Sequence, residues 1–358
     1  MRVLHVSRTM GQGGAEKIVY QLCRDNEECE QVVISCGGAY VEELKKIGVR
    51  HYMIPDIDRK NPLLMVKCLF ALLNVVIKEH IDVIHTHHRM AAFYGRFVSS
   101  ITGAKCVYTA HNVFLNKRQL MRFSLKKSCI VAVGDGVKQN LIDFYGIPEK
   151  RINVIYNSVK VEKTGEGNDL LSEKKALGKY LIGSIGRLTE QKGMNIFIRA
   201  IKEVVKNHPN AIGVIIGDGE DREQLEKLTI EFALSDNVLF LGYQKNVLDI
   251  IGQLDFVVLS SRWEGFPLTP IETFSQGKTI IVSDISGNNE IVANGENGII
   301  FKLDDVCDLA AKMENLIEDG AFLKELEKGA LNTYQKKYDY EKFKDGYQNL
   351  YSRSIKIK

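Results

Sequence analysis

The chain has 358 residues, of which 45% are hydrophobic and 26% charged, a composition typical of a globular protein long enough for two domains. The net charge of +3 is unevenly divided: residues 1–160 carry 23 Lys and Arg against 14 Asp and Glu (+9), and the remainder carries 25 against 31 (−6). This small total, with no recognisable reading module, argues against nucleic-acid binding. Seven scattered cysteines without a CxxC pair, and no signal-peptide core at the N-terminus, predict a protein of the reducing cytoplasm.

Short β-rich runs alternate with helical patterns, which is typical of parallel sheets built from βαβ units. The predicted strands of the first half are 3–7, 31–35, 50–54, 83–85, 105–109, 130–133 and 152–155. Those of the second half are 180–185, 211–216, 238–241, 256–259, 279–282 and 298–301. We therefore predict a Rossmann-like domain over 1–160, a polar linker over 161–178 and a second Rossmann-like domain over 179–335. A C-terminal helix over 336–358 is expected to return toward the first domain.

In the first half, a glycine turn and several histidines follow predicted strands. Gly13 and Gly14 open a helix, where backbone N–H groups could approach a diphosphate, although a plain tight turn explains them equally well. His85, His87 and His111 lie at strand ends. The H-x-H spacing suggests a metal, but no acidic or Cys partner stands nearby, so none is expected. We expect His111 to face a ligand crevice, although a strand-end histidine is more often a satisfied core residue.

Two further segments of the first half are apolar or basic. Residues 63–77 form the longest apolar stretch, which is interrupted by Lys67 and Asn74 and is too short to span a bilayer. We expect them to form a buried or interfacial helix. Residues 114–127 hold five basic residues among apolar ones and no acid. They predict either a basic interfacial helix that contacts anionic lipid or a solvated helix face.

The second half has charged residues in glycine-bounded loops after its strands. Arg187 and Lys192, five positions apart, could clamp two phosphates, or could be ordinary surface charges. Gly242 and Tyr243 offer a bare backbone for a base to pack on, or a plain turn. Gly217-Asp218-Gly219-Glu220 ends the strand at 211–216 and fits a turn followed by a helix cap, with a structural and a functional role equally open.

The most informative stretch reads Glu-Gly-Phe-Pro-Leu-Thr-Pro-Ile-Glu, from Glu264 to Glu272, directly after the strand at 256–259. A helix opening at Pro270 would leave Glu264 in a loop and place Glu272 in the first helical turn. In open α/β sheets, ligands bind outside the carboxyl ends of the strands, where these residues are expected. Thr269 to Glu272 also fits a capping box, in which Glu272 would bond to backbone and not to ligand.

Together these motifs resemble the retaining glycosyltransferases of the GT-B fold, in the large family 4. The resemblance rests on Glu264-x7-Glu272, the Gly186–Gly193 loop, the Gly13-Gly14-x-Glu16 turn and Asn157-Ser158-Val159. It implies an α/β fold with two Rossmann-like domains facing each other across a cleft. Ser158 and Ser286 depart from the family's usual glycines, and Pro267 removes a backbone N–H.

The resemblance also implies residue roles. Arg187 and Lys192 would bind the donor diphosphate, Glu272 the ribose hydroxyls and Glu264 the donor sugar. The other contacts it implies to the nucleotide sugar are Gly13, Gly14, Gly242, Tyr243, Gly265, Phe266, Pro267 and Leu268. The catalytic set would be His111, Arg187, Lys192 and Glu264, and the acceptor would meet His85, His87 and His111. No metal or other cofactor is expected.

The sequence thus predicts a glycosyltransferase that moves a sugar, with retention, from a nucleotide-diphosphate sugar to a surface-glycan or lipid-linked acceptor. Uridine diphosphate is the expected carrier because it is the more frequent one in this group. The enzyme is expected in the cytoplasm, with peripheral contact to anionic lipid on the inner face of the plasma membrane through residues 114–127. A sugar-nucleotide epimerase, a phosphorylase and a non-catalytic sugar-nucleotide-binding partner are the alternatives.

Overall fold

The computed structural model describes residues 1–162, 165 and 167–356, so three positions of the predicted linker and the last two of the predicted C-terminal helix lie outside it. The contacts divide the chain into two compact units. The first unit comprises Met1–Asn157 with the C-terminal segment from Tyr340, and the second comprises Ser158–Asp339. The predicted domain boundaries at 160, 178 and 335 stay predictions beside this division.

The first unit is built on a seven-stranded parallel sheet. Its strands are β1 (Arg2–Val6), β2 (Glu30–Ser35), β3 (Arg50–Met53), β4 (Val83–Thr86), β5 (Lys105–Ala110), β6 (Cys129–Ala132) and β7 (Ile152–Val154), in the order β3-β2-β1-β4-β5-β6-β7. Its helices are α1 (Gly14–Asp25), α2 (Tyr40–Lys46), α3 (Pro62–Lys78), α4 (Arg89–Thr102), α5 (Arg118–Ser124), α6 (Asp135–Asp143) and, at the end of the chain, α15 (Tyr340–Lys356).

The second unit repeats this plan with a six-stranded parallel sheet. Its strands are β8 (Tyr180–Ile185), β9 (Ala211–Ile216), β10 (Val238–Gly242), β11 (Phe256–Leu259), β12 (Ile280–Ser283) and β13 (Ile299–Phe301), in the order β10-β9-β8-β11-β12-β13. Its helices are α7 (Asp169–Ala176), α8 (Met194–Asn207), α9 (Arg222–Glu231), α10 (Val247–Gln253), α11 (Leu268–Ser275), α12 (Ser286–Asn289), α13 (Val306–Glu318) and α14 (Gly320–Lys337).

Every predicted strand forms, with each end within one residue of its predicted position. The reason is burial: strands of a parallel sheet are covered on both faces and therefore read as continuous apolar runs. In each unit the strand order reverses once, between β1 and β4 and between β8 and β11. These reversals are the topological switch points at which Rossmann-like sheets bind ligands.

The two faces of the first sheet are covered differently. Leu4, Val6 and Ile84 pack with buried residues of α3 and α4 in one hydrophobic cluster. A second cluster joins Val33 to buried residues of α1 and α2. In the second unit, α8 and α13 contribute to one large core with the strands. The switch points are therefore held between packed layers, which fixes the loops that leave them.

The predicted linker differs from the structure at its C-terminal end. Residues 169–176 form α7, because the side-chain oxygen of Asn168 accepts the N–H of Leu171 at 3.2 Å and so caps a helix. The charged residues of this stretch predict a polar linker. They instead lie on a helix that buries Leu171.

Candidate active site

The loops after β8 and β11 meet at the switch point of the second unit. The backbone N–H of Arg262 donates to the carbonyl of Gln191 at 2.8 Å, and the side-chain amide of Gln191 donates to the carbonyl of Trp263 at 2.8 Å. Two loops that are about 70 residues apart in sequence are thus joined by hydrogen bonds. This join fixes where their charged side chains lie.

Lys192 and Glu264 form an ion pair at this join. The Lys192 ammonium donates to Glu264 Oε1 at 2.5 Å, and the Ser261 hydroxyl donates to the same oxygen at 2.8 Å. The two charged side chains are only 18% and 9% exposed. A charge pair held this far from water, with a further hydrogen bond on the carboxylate, is a preorganised polar group.

Arg187, by contrast, is exposed on the loop that leaves β8. Within the part of the chain that the structure describes, nothing accepts a hydrogen bond from its guanidinium. Because guanidinium forks match phosphate oxygens well, the loop offers a ready anion contact beside the Lys192–Glu264 pair.

Helix α11 begins at Leu268, with Pro267 in the cap position and no side-chain cap bond, so the predicted start at Pro270 and the Thr269–Glu272 capping box are wrong. Pro270 is the third residue of the helix, where a backbone N–H has no partner within the helix in any case. Because residues 267 and 270 are both prolines, the helix start presents only the N–H groups of Leu268 and Thr269. Glu272 is buried in the second turn.

Two glycines allow the close packing around Glu264. A side chain at Gly193 would place its first carbon 2.2 Å from the carbonyl oxygen of Ser260, and one at Gly287 would come 2.5 Å from that of Glu264. Neither distance can be tolerated. Gly287 is the second residue of α12, so the start of this helix packs against the backbone of the Glu264 loop.

Gly242 and Tyr243 lie farther along the same edge of the sheet. Gly242 has a positive φ of 66° and its carbonyl accepts the N–H of Gly217 at 2.8 Å. Tyr243 is 41% exposed at the end of the outer strand β10. Since β10 is two strands from β8, these residues are roughly 10 Å from the β8 loop. Gly242 and Tyr243 thus lie at the same edge of the sheet as the β8 loop but are not members of the Lys192–Glu264 ion pair.

In the first unit, the turn before α1 has its own acidic partner. Gly13 is the cap residue of α1, and the Glu16 carboxylate, which the Thr9 hydroxyl contacts at 2.6 Å, lies against it. An acid in the first helical turn is favourable beside the positive end of the helix dipole. The backbone of Gly13 and Gly14 therefore already has a carboxylate nearby.

The predicted histidines of the first unit do come together, and a fourth joins them. His5 Nδ1 lies 2.9 Å from His87 Nε2, and His87 Nδ1 lies 3.1 Å from His111 Nε2. Desolvation lowers the pKa of His5 and of His111 to about 4, and that of His85 and His87 well below the usual value. All four are therefore neutral at neutral pH.

His85 occupies a separate part of this cluster. Its Nδ1 lies 2.7 Å from the hydroxyl of Tyr351 in α15, and its Nε2 lies 2.7 Å from the hydroxyl of Thr109. His5, His85 and His87 are close enough to hold a metal ion. Their nitrogens are already engaged by hydrogen bonds in this structure. The sequence suggested His85 and His87 but missed His5, whose place in a buried strand concealed it.

Within the segment 114–127 the structure forms the short helix α5, so the helix that was expected to be either interfacial or solvated covers only part of the segment. Lys117 has a positive φ of 56° and caps α5, which ends at Ser124. Met121 and Leu125 are buried, whereas Leu115 and Phe123 are exposed. The cap residue Lys117 makes no side-chain hydrogen bond to the first turn of α5.

The exposed apolar residues of α5 continue onto α4, which packs against α5, and onto α3, which packs against α4. The rings of Phe97 in α4 and Phe123 in α5 are 5.7 Å apart. Helix α3 is apolar on both sides: one face is in the core, and the opposite face exposes Leu63, Val66, Phe70 and Ile77. No described helix is long and apolar enough to cross a membrane.

Comparisons with known proteins agree with this architecture. The family model described as Glycosyltransferase Family 4 matches residues 12–163, and the model described as Glycosyl transferases group 1 matches residues 168–333. A UDP-Gal:alpha-D-GlcNAc-diphosphoundecaprenol alpha-1,3-galactosyltransferase of Escherichia coli is 29% identical, over 89% of this chain and 88% of the relative. An uncharacterised glycosyltransferase of Methanocaldococcus jannaschii is 23% identical, over 94% and 92%.

Solved structures show the same fold at low sequence identity. HepE of Anabaena in complex with UDP superposes with a TM-score of 0.84 at 19% identity, covering 99% of this chain and all of that one. A glycosyltransferase of Rickettsia africae gives 0.84 at 20% identity, covering 100% and 99%. Two Rossmann-like units in sequence, with these structural likenesses, show the GT-B fold.

With the two matched ranges together spanning most of the chain, this protein belongs to the family 4 glycosyltransferases.

Proposed function

We propose that the protein transfers a sugar, with retention and without a metal ion, from a UDP-sugar to a glycan or lipid-linked acceptor. The observation that carries this proposal is the Lys192–Glu264 ion pair beside the exposed Arg187, at the switch point of the second sheet. These groups lie where a Rossmann-like sheet receives a nucleotide.

Breaking a sugar–diphosphate bond places negative charge on the leaving phosphate, so fixed positive groups aimed at that charge lower the barrier. Arg187 and Lys192 supply two cations, and the free N–H groups of Leu268 and Thr269 supply dipoles at the start of α11. Glu264 holds the Lys192 ammonium in place and presents its second oxygen to a sugar hydroxyl. Glu272 binds the ribose hydroxyls in this proposal, after a modest change of the buried second turn.

The donor and acceptor are inferred from similar proteins. The Escherichia coli relative is named for UDP-galactose and a diphosphoundecaprenol-linked acceptor, and solved neighbours hold UDP or UDP-glucose. The relative's name also specifies an alpha linkage. We therefore propose a UDP-hexose donor and an acceptor whose sugar is carried on a lipid diphosphate or on a growing glycan.

The direct test is release of UDP from UDP-galactose or UDP-glucose, measured with and without a lipid-diphosphate-linked N-acetylglucosamine. We expect acceptor-dependent UDP release, an alpha linkage in the product by NMR, and unchanged rates in the presence of EDTA. Sugar isomerisation without acceptor would instead indicate an epimerase. Release that requires inorganic phosphate would indicate a phosphorylase, and loss of activity in EDTA would refute the metal-free proposal.

We also propose that α3, α4 and α5 together form a membrane-binding face. These helices and residues 114–127 contain no Asp or Glu, and their cations include Lys67, Arg122, Lys126 and Lys127, all exposed. Exposed apolar side chains surrounded by such cations suit the interface of an anionic bilayer, where each basic residue near the surface contributes about 1 kcal/mol. A lipid-carried acceptor would be reached at that surface.

Vesicle sedimentation tests this face with the double variant Leu63→Glu/Phe70→Glu and the matched control Ile230→Glu, an exposed apolar residue of α9 in the second unit. Wild type and control should bind phosphatidylglycerol vesicles and release them at high salt. The double variant should bind at least about tenfold more weakly, since each apolar side chain contributes more than 1 kcal/mol when buried. Equal binding to phosphatidylcholine vesicles, or unchanged binding by the double variant, would refute the membrane face.

A further inference from the structure

Gln31 and three histidines of the first unit form a hydrogen-bonded line of four side chains that begins deep in the sheet. Gln31 of β2 and His5 of β1 are buried, His87 follows β4, and His111 follows β5. The line therefore crosses the switch point of the first sheet and ends at its carboxyl edge. His111, the last member, is the only one of the four that is partly exposed.

The contacts along the line join one nitrogen of each ring to the next. Gln31 Oε1 lies 2.9 Å from His5 Nε2, and His5 Nδ1 lies 2.9 Å from His87 Nε2. His87 Nδ1 then lies 3.1 Å from His111 Nε2. Among the described residues of the first unit, nothing hydrogen-bonds to His111 Nδ1.

Neutral imidazole carries one proton, so one ring nitrogen donates and the other accepts. The carbonyl oxygen of Gln31 can only accept, which places the proton of His5 on Nε2. His5 Nδ1 must then accept, so His87 donates from Nε2. By the same argument His87 Nδ1 accepts, and His111 donates from Nε2.

We infer that Gln31, His5 and His87 are positioning residues that hold His111 in the Nε2–H tautomer. Its exposed Nδ1 is then a hydrogen-bond acceptor, fixed for a hydroxyl group of the sugar substrate. This inference rests on the proposed function for the identity of the hydroxyl, but the tautomer itself does not depend on any substrate.

The fixed tautomer has a chemical consequence. A site that ends in a bare acceptor favours a group that donates a hydrogen bond, and it disfavours a second acceptor at the same place. The line is also uncharged, because burial lowers the pKa of each of its histidines. His111 thus orients a hydroxyl without placing a positive charge beside the sugar.

The experiment is a long-range proton–nitrogen NMR spectrum of the full-length protein, with ¹⁵N-labelled histidine, at pH 7.5. His111 is assigned from the spectrum of His111→Gln. We expect wild-type His111 to be protonated on Nε2 with a bare Nδ1. Addition of UDP-galactose or UDP-glucose should shift the Nδ1 signal, whereas UDP alone should not.

Gln31→Met removes the acceptor at the far end of the line, two rings from His111, and keeps a similar side-chain volume. We expect His111 to become a mixture of tautomers, with the Nδ1 response to the UDP-sugar reduced at least about twofold. Thr109→Val is the matched control, since it removes the hydroxyl that hydrogen-bonds to His85, and His85 is not in the line. It should leave the His111 signals unchanged.

Protonation of wild-type His111 on Nδ1 would overturn the inference, because it requires Gln31 to donate through its amide nitrogen. An unchanged tautomer in folded Gln31→Met would also overturn it. If His111 has the expected tautomer but no UDP-sugar shifts any signal, the proposed function is refuted. The inference about the hydrogen-bonded line then still stands.

Discussion

The two units share one strand order but differ in what lies at the switch point. In the second unit, a cation and a carboxylate form an ion pair beside an exposed arginine. In the first unit, the same position holds neutral histidines that bond to one another. The fold therefore decides where a ligand can bind, and the side chains at the strand ends decide whether that place favours anions or neutral hydroxyls.

The largest expected effect comes from removing the cation at the switch point of the second unit, because the first unit has only neutral histidines there. Lys192→Ala should reduce kcat about 10²- to 10³-fold, because it removes a fixed cation from the leaving phosphate. It also leaves the Glu264 carboxylate buried without its partner, so stability should fall by about 3 kcal/mol. Steady-state kinetics and urea unfolding measure the two effects.

The matched control for this variant is Lys227→Ala, which removes an exposed lysine of α9 that pairs with Glu223. It should change neither kcat nor stability by a measurable amount. Equal effects of the two lysine variants would contradict a special role for the Lys192–Glu264 pair.

As the pH falls, the first unit should lose folding stability before the second unit does. His5, His85, His87 and His111 have folded pKa values below the ordinary 6.5, so the unfolded chain takes up protons that the folded unit does not. Stability should therefore be complete above about pH 6.5 and fall as the pH drops toward 4, by a few kcal/mol at pH 5.

Hydrogen exchange at pH 7.5 and pH 5, corrected for the intrinsic rate, locates this loss. Amides of β1 and β4 should lose protection, whereas those of β8 and β11 should not, because the second unit has one histidine, His208, outside its sheet. Equal loss of protection in both sheets would show that the histidine line is not the acid-sensitive element.

A smaller effect tests the support behind Glu264. Gly287→Ala would bring a methyl group 2.5 Å from the Glu264 carbonyl oxygen, so the loop must shift at a cost of about 1–3 kcal/mol. The unfolding temperature should fall and the Kd for UDP should rise. Gly252→Ala, whose added carbon meets nothing closer than 4.0 Å, is the control and should be neutral or slightly stabilising.

Sequence patterns predict the strands of both units well, because buried parallel strands leave long apolar runs such as that of β9. They fail where one pattern has two physical explanations. Proline is favoured at the first position of a helix, yet it is also tolerated at the third, so the sequence predicts a start at Pro270 where α11 begins at Leu268.

The histidine line shows a second limit of prediction from a single sequence. His5 and Gln31 belong to strands that are otherwise apolar, and only the register of β1 with β2 and β4 reveals that they point toward His87. A single sequence carries no information on that register. The apolar outer face of α3 was partly visible, since residues 63–77 were expected to form a buried or interfacial helix. The structure shows that one face of this helix is buried and that the opposite face exposes apolar side chains.

The proposed transfer requires that the second unit bind a nucleoside diphosphate through Arg187 and Lys192. This binding is tested most directly by the unfolding temperature with UDP, GDP and UMP, for wild type, Arg187→Ala and the control Lys227→Ala. We expect UDP to raise the unfolding temperature of wild type and control more than GDP or UMP does, and Arg187→Ala to abolish most of that rise. No rise with any nucleotide, or the same rise in Arg187→Ala as in wild type, would contradict the claim.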